Sequence, residues 1–376
     1  MYEEGYMNST QLLEHYETEQ ETTTAHKPAP QWSYSTGKFK NGAVGLCNIG
    51  EAGSLNPLLQ TLYMNRKFTD ILNSMGEREN SELPDRRFPY ELLALFEEMH
   101  NSKEDAVPPY RLLRCLQILD VRLFGRYDIA DLFFTLWNLL LQQLPQPHLV
   151  EKMRTLYTIK LQNFFTCRKC SYQRFTDSDV VAVPIPVSAS VRHEKLPLER
   201  ALRRFFKKKE LSGENKPFCT KCEENTPCLK GVRLLSLPTT LTISLKRLHR
   251  SSQTHKINRA VSFPPQLDLS EVLDPDHLPE EELLLGQYKY HLFAVVAHSG
   301  TASFGHYCAY INSTKDNKWY CFNDSSVCKV SWDDVKCTYG NTSFHWLNSM
   351  DFGLLSTSST MGITACLLVY VKSDMT

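Results

Sequence analysis

Three stretches of the chain place apolar residues at helical spacing: residues 57–65 (PLLQTLYMN), 89–100 (PYELLALFEEMH) and 128–144 (DIADLFFTLWNLLLQQL). Apolar positions return every three or four residues in each, which predicts amphipathic helices with one face on a core. After Val150 the rhythm changes. Short runs rich in Val, Ile, Thr and aromatics follow: DVVAVPIPV, TTLTISLKRL, KYHLFAVVAHSG, HYCAYINS, KWYCFND and CLLVYVK. These predict strands. Helices first and strands later predict an α+β fold with an antiparallel sheet. Residues 1–41 follow neither period and hold few large apolar groups, so a disordered tail is expected there. The acidic stretch 265–287 reads as a long loop, either at a substrate rim or simply solvated.

Composition narrows the function classes. The 376 residues are 42% hydrophobic, enough for one large domain or two ordinary ones. Lys+Arg and Asp+Glu both number 42, so the net charge is zero. No basic block suits a nucleic-acid arm or a membrane anchor; the nearest, RRFFKKKE at 203–210, reads as a solvated helix face. The longest apolar stretch, LFFTLWNLLLQQL, is too short for a bilayer, so neither nucleic acid nor a membrane span is expected. The first residues lack the apolar core of a secretory signal. Together with 12 cysteines this points to a reducing, intracellular compartment, cytoplasm or nucleus. There the thiols serve as core residues, metal ligands or catalytic groups.

Four of them form a pattern. Cys167–Cys170 and Cys219–Cys222 are two CxxC knuckles with 48 residues between them. Two turns of two thiolates each make the tetrahedral sulfur set that zinc prefers, with no open position. One structural zinc is therefore expected, clipping together hairpins that lack a core of their own. Cys228 is a spare beside the second knuckle.

His306 opens a strand, and Asn323 follows 17 residues later, across a turn at TKDN. Two strands so joined bring Asn323 beside His306. A histidine with Asn or Asp on its far nitrogen is the base-and-orienter half of a catalytic triad. A satisfied strand histidine is the plainer alternative.

Residues 45–62, GLCNIGEAGSLNPLLQTL, run from a glycine-rich loop into a helix, and with the segments above they complete a likeness. From about Gly42 to Tyr370 the chain resembles the ubiquitin-specific proteases, papain-like thiol isopeptidases built as thumb, palm and zinc-ribbon fingers. The resemblance rests on GLCNIG…LNPLLQ, YDIADLF, the two knuckles, LPTTLTISLKRL, VSFPPQLDL, YHLFAVVAHSG, GHYCAY, WYCFNDSSV and LLVYVK. It implies a thumb over about 42–150, with fingers and palm over about 151–376. It implies His306 as general base, Asn323 as orienter with Asp324 beside it, and Asn48 as the oxyanion-hole side chain. Cys167, Cys170, Cys219 and Cys222 match its zinc ligands. Its partners would be a ubiquitin-like modifier and the conjugates of that modifier, and signalling proteins are compatible with it.

The departures carry as much weight. The family's loop box places its cysteine nucleophile at a position that here is Gly53, which has no group able to attack a carbonyl. Cys47 and Ser54 are the nearest substitutes. Ala130 and Phe134, four apart on one helix, are expected either as an exposed apolar pair that docks a modifier or as core. Arg126-Tyr127 precede Asp128 where the family has Gln. Residues 347–364, rich in Ser, Thr and Gly, read as a loop insertion before the last strand. Three functions follow: a pseudo-protease that binds without cleaving, an active isopeptidase using another residue, or a scaffold that does not use the cleft.

Overall fold

The computed structural model describes residues 43–50, 52–75, 88–123, 128–188, 194–250, 254–279, 288–302, 304–340 and 362–373. The expected tail at 1–41, the Arg126-Tyr127 pair and nearly all of the 347–364 insertion lie outside these residues.

The first part is helical. A two-residue strand β1 (Gly45–Leu46) leads through the loop into α1 (Leu55–Met64) and α2 (Arg66–Asn73). Next come α3 (Phe88–Asn101), β2 (Ala106–Val107), α4 (Tyr110–Ile118), α5 (Ile129–Gln143) and α6 (Pro147–Tyr157). Local chemistry sets several starts. Asn65 caps α2 by accepting from the Phe68 amide, and Asp128 caps α5 by accepting from the Ala130 amide at 3.1 Å. Pro147 opens α6, where its missing N–H costs nothing.

Strands then take over. β3 (Ile159–Cys167) and β4 (Gln173–Val180) form a long hairpin; β5 (Val183–Pro186) and β6 (Leu196–Pro197) lead into α7 (Leu198–Phe206). After β7 (Lys209–Leu211), the short hairpin β8 (Phe218–Cys219) and β9 (Glu224–Asn225) precedes β10 (Cys228–Ser236). β11 (Thr240–Lys246) follows, then the hairpin β12 (Leu248–Arg250) and β13 (Thr254–Lys256), then β14 (Val261–Ser262), β15 (Gln266–Asp268) and α8 (Leu269–Val272). The last elements are β16 (Lys289–Gly300), β17 (Gly305–Ser313), β18 (Lys318–Asn323), β19 (Ser326–Val330), α9 (Trp332–Lys336) and β20 (Thr364–Lys372).

Two sheets organise the strands. A four-stranded sheet has the order β4-β3-β10-β7. The large sheet runs β19-β18-β17-β16-β20-β11-β5, with β15 on β16. It is antiparallel except where β5 joins β11 in parallel, so the expected antiparallel sheet is in fact mixed at one edge. The reason is a crossover: DVVAVPIPV, read as one strand, is broken at Val181-Ala182, and its halves serve different sheets.

The large sheet is apolar on both faces, which explains its nearly unbroken hydrophobic runs. In β16, Ala294 and Val296 join the core beneath the helices, while Val295 and Ala297 join a second core with α7 and α8. β20 divides likewise, Leu367 and Val369 to one side and Leu368 and Tyr370 to the other.

Two expectations are corrected. Residues 266–278 are not a solvated loop: they form β15, α8 and a 3-10 turn, and bury Leu267, Leu269, Val272 and Leu273. Within 203–210, α7 ends at Phe206, whose ring is buried, and Lys209-Glu210 belong to a strand. Only Arg203 and Arg204 fit the solvated helix face.

Candidate functional site

The loop after β1 meets the β18–β19 hairpin at Asp324. The Leu46 amide donates to the Asp324 carbonyl at 3.0 Å. Gly45 passes so close that a Cβ would lie 2.5 Å from the Ser325 carbonyl oxygen, so only glycine fits. The Asp324 carboxylate receives two amides: Asn56 Nδ2 at 2.8 Å on Oδ1 and Asn48 Nδ2 at 2.9 Å on Oδ2. One side chain thus fastens the loop and the start of α1 to the large sheet. Asp324→Ala leaves the buried Asn56 amide without this acceptor. The expected cost is about 1–3 kcal/mol, read as a lower denaturant midpoint; an unchanged midpoint would show that the tether contributes nothing.

β17 and β18 pair with Ala309 opposite Phe322, which makes His306 and Asn323 near neighbours across the ladder. His306 Nε2 lies 2.5 Å from Asn323 Oδ1, and 3.8 Å from Asp324 Oδ2. The other ring nitrogen, Nδ1, faces the loop. A Cβ on Gly53 would sit 3.4 Å from Asn48 Nδ2 and 3.9 Å from His306 Nδ1. Gly53 is therefore in the gap between these two polar groups. Gly53 is the middle residue of a 3-10 turn, Ala52–Ser54, that leads into α1.

The alternative nucleophiles are poorly prepared. Burial, and then the negative charge of Asp324, push the Cys47 thiol up from its ordinary value, the reverse of what activates a thiolate. Ser54 is the N-cap of α1, and its side chain makes no capping hydrogen bond.

Close to His306 lie a half-buried lysine and a buried histidine. Lys256 Nζ donates to the carbonyls of His298 and Gly300, and burial pulls it down to about 8. Burial, Lys256 and His306 together lower His298 to about 3. Its ring lies 4.5 Å from that of Tyr307, under Gly305, where a Cβ would strike it at 2.0 Å. His298 is thus neutral when folded and free to protonate when unfolded. Its share of stability is full above about pH 6.5 and is lost as pH falls toward 3. Replacing His298 by Gln is expected to flatten the stability slope across that window; an unaltered slope would place the acid sensitivity elsewhere.

Asp128 has a second task besides capping α5. Its Oδ2 accepts from Lys246 Nζ at 2.8 Å, joining the helix to the end of β11. The sequence offered no signal for this pair. Asn56 was not singled out, although an asparagine in the first turn of a helix can reach back to the loop before it, as this one does toward the Leu46 carbonyl.

The suggested docking pair is divided. Ala130 is 7% exposed and belongs to the core, whereas Phe134, one turn on, is 48% exposed. Neither an exposed pair nor a wholly buried one is present.

The four knuckle cysteines converge. Their sulfurs all lie within 4.8 Å of one another, Cys167 to Cys222 at 3.9 Å and Cys170 to Cys219 at 3.7 Å. Four sulfurs about 2.3 Å from a tetrahedral zinc are spaced about 3.8 Å apart, so the donor set fits such an ion. The Thr226 hydroxyl, 3.1 Å from Cys167 Sγ, is the first cause holding that thiol below its ordinary value, followed by the Cys170 amide. Cys228 is buried opposite Cys167 on β10 and is not part of the cluster.

With a loop, a histidine–asparagine pair and a four-cysteine cluster on one mixed α and β framework, comparison with known proteins gives the class: the chain belongs to the ubiquitin carboxyl-terminal hydrolase family, whose pattern matches residues 44–369. Among its relatives, human Ubl carboxyl-terminal hydrolase 18 is 38% identical over 95% of this chain and 92% of its own length. The mouse protein of that name is 40% identical over 89% and 86%. Mouse ubiquitin carboxyl-terminal hydrolase 47 is 28% identical over 92% of this chain and 29% of its own. No described helix is long and apolar enough to cross a membrane.

Proposed function

We propose that the chain is a modifier-binding member of this family that has lost its nucleophile. The carrying observation is Gly53: the position facing both Asn48 Nδ2 and His306 Nδ1 holds no reactive atom. His306 in the role of base, Asn323 as orienter and Asn48 as oxyanion donor would then surround a vacant nucleophile position. Without the attacking group no acyl-enzyme forms, and loss of such a group costs on the order of a millionfold in turnover.

The ligand is the C-terminal tail of a ubiquitin-like modifier. Three relatives carry "Ubl carboxyl-terminal hydrolase 18" as their name, and the segments PHLVEKMRTLYTIK and KWYCFNDSSVCKVSWDDVKCTYGNTSFHW resemble the interferon-induced member of the family. The two-lobed, interferon-stimulated modifier is therefore favoured over ubiquitin. Phe134 supplies one exposed apolar contact for it. The four-cysteine cluster holds one structural zinc in the fingers, and an intracellular site of action suits both the thiols and this ligand.

Pull-down of the purified chain with each modifier tests the ligand. Retention of the interferon-stimulated modifier, weakened severalfold by Phe134→Asp, is expected. Retention of none would favour a scaffold that does not use the cleft.

A further inference from the structure

One face of the four-stranded sheet carries a row of cations that the histidine–asparagine site does not use. Cross-strand register places Lys209, Lys230, Phe165 and Arg174 in a single row over β7, β10, β3 and β4. Residues directly opposite point to the same face. Lys230 Nζ and the Arg174 guanidinium both lie over the Phe165 ring, at 5.5 and 5.1 Å from its centre. Asn163, Thr176, Ser178 and Val232 share this face, and no Asp or Glu among the described residues of these strands does. Glu210 points the other way, 3.9 Å from Arg168. Two lysines directly opposite each other repel and destabilise a sheet unless something offsets them. Beside the row opens a pocket lined by Phe165, Tyr172, Arg174, Pro217 and Phe218, with Phe218 57% and Tyr172 43% exposed.

The sequence holds a matching partner. Residues 1–26 contain six glutamates (3, 4, 14, 17, 19 and 21), no aspartate and no lysine or arginine, together with Tyr2, Tyr6 and Tyr16. We propose that this acidic segment docks in the same chain on the Lys209–Lys230–Phe165–Arg174 face, its glutamates on the cations and a tyrosine in the aromatic pocket. The 16 residues from 27 to 42 reach up to about 50 Å when extended. Tethering raises the local concentration of the segment to about the millimolar range, so individually weak contacts suffice.

Carbodiimide cross-linking of the full chain tests this, using an equal mixture of isotope-labelled and unlabelled protein to separate links within a chain from links between copies. The expected products join Glu14, Glu17, Glu19 or Glu21 to Lys209 or Lys230 within one chain. Their yield should fall severalfold in ~0.5 M salt, where screening is effective beyond about 5 Å, and likewise in Arg174→Gln, which leaves both lysines available to react. In a variant with the six glutamates changed to Gln, acetylation of Lys209 and Lys230 should speed up severalfold. Links chiefly to other lysines, links only between copies, or unaltered acetylation would overturn the proposal.

Discussion

Gly53→Cys is expected to turn the chain into a thiol-dependent hydrolase. The backbone at 53 is not in the left-handed region, and the nearest atoms to an added Cβ stand at ordinary contact distance, so the side chain enters without strain. The added Cβ stands 3.9 Å from His306 Nδ1, the proposed base, and 3.4 Å from Asn48 Nδ2, the proposed oxyanion donor, whose second hydrogen is not the one given to Asp324. With Asn323 on the far side of the imidazole, one substitution completes the set. The expected gain with a modifier bearing a fluorogenic C-terminal leaving group is several orders of magnitude, up to about a millionfold. It should vanish on alkylation, and Gly53→Ala should remain inert. A folded Gly53→Cys protein that binds the modifier and stays at background would show that the cleft has shifted in more than one residue.

The second large effect concerns the cysteine cluster. β4 is exposed along nearly its whole length, and β8 and β9 are two residues each, so this region has little apolar burial to hold it. Structural zinc contributes about 10–16 kcal/mol to such sites at neutral pH. Metal analysis should give about one zinc per chain, and Cys219→Ser should abolish it. Proteolysis should then concentrate between residues 160 and 236, while both cores of the large sheet persist. Cys228→Ser, outside the cluster, should keep the metal. A folded, metal-free protein with unchanged proteolysis would contradict the zinc assignment.

How much of this was legible depended on the physics of each feature. The CxxC pairs were readable because thiolate spacing is local, and the structure gathers all four sulfurs. The nearness of His306 and Asn323 followed from hairpin register, which a short turn fixes. Periodicity found the helices but not their burial: it placed Ala130 and Phe134 on one side of α5, and tertiary packing then covered one and left the other exposed. In DVVAVPIPV the prolines fall after the break, at 184 and 186, so nothing at Val181-Ala182 itself marks where the chain passes from one sheet to the other. The acidic character of 265–287 hid Leu267, Leu269, Val272, Leu273 and Leu278, which join the second core. Contacts distant in sequence were the least readable. Asp324 holding Asn48 and Asn56, and Lys246 holding Asp128, arise only once the sheet brings the partners together.

Recognition without cleavage is to be read on the unaltered chain. The measurement is binding and turnover in one sample, using the interferon-stimulated modifier with a fluorogenic C-terminal group. Saturable binding with hydrolysis no faster than buffer alone is predicted. Turnover above that level, abolished by changing Ser54 or Cys47, would contradict it.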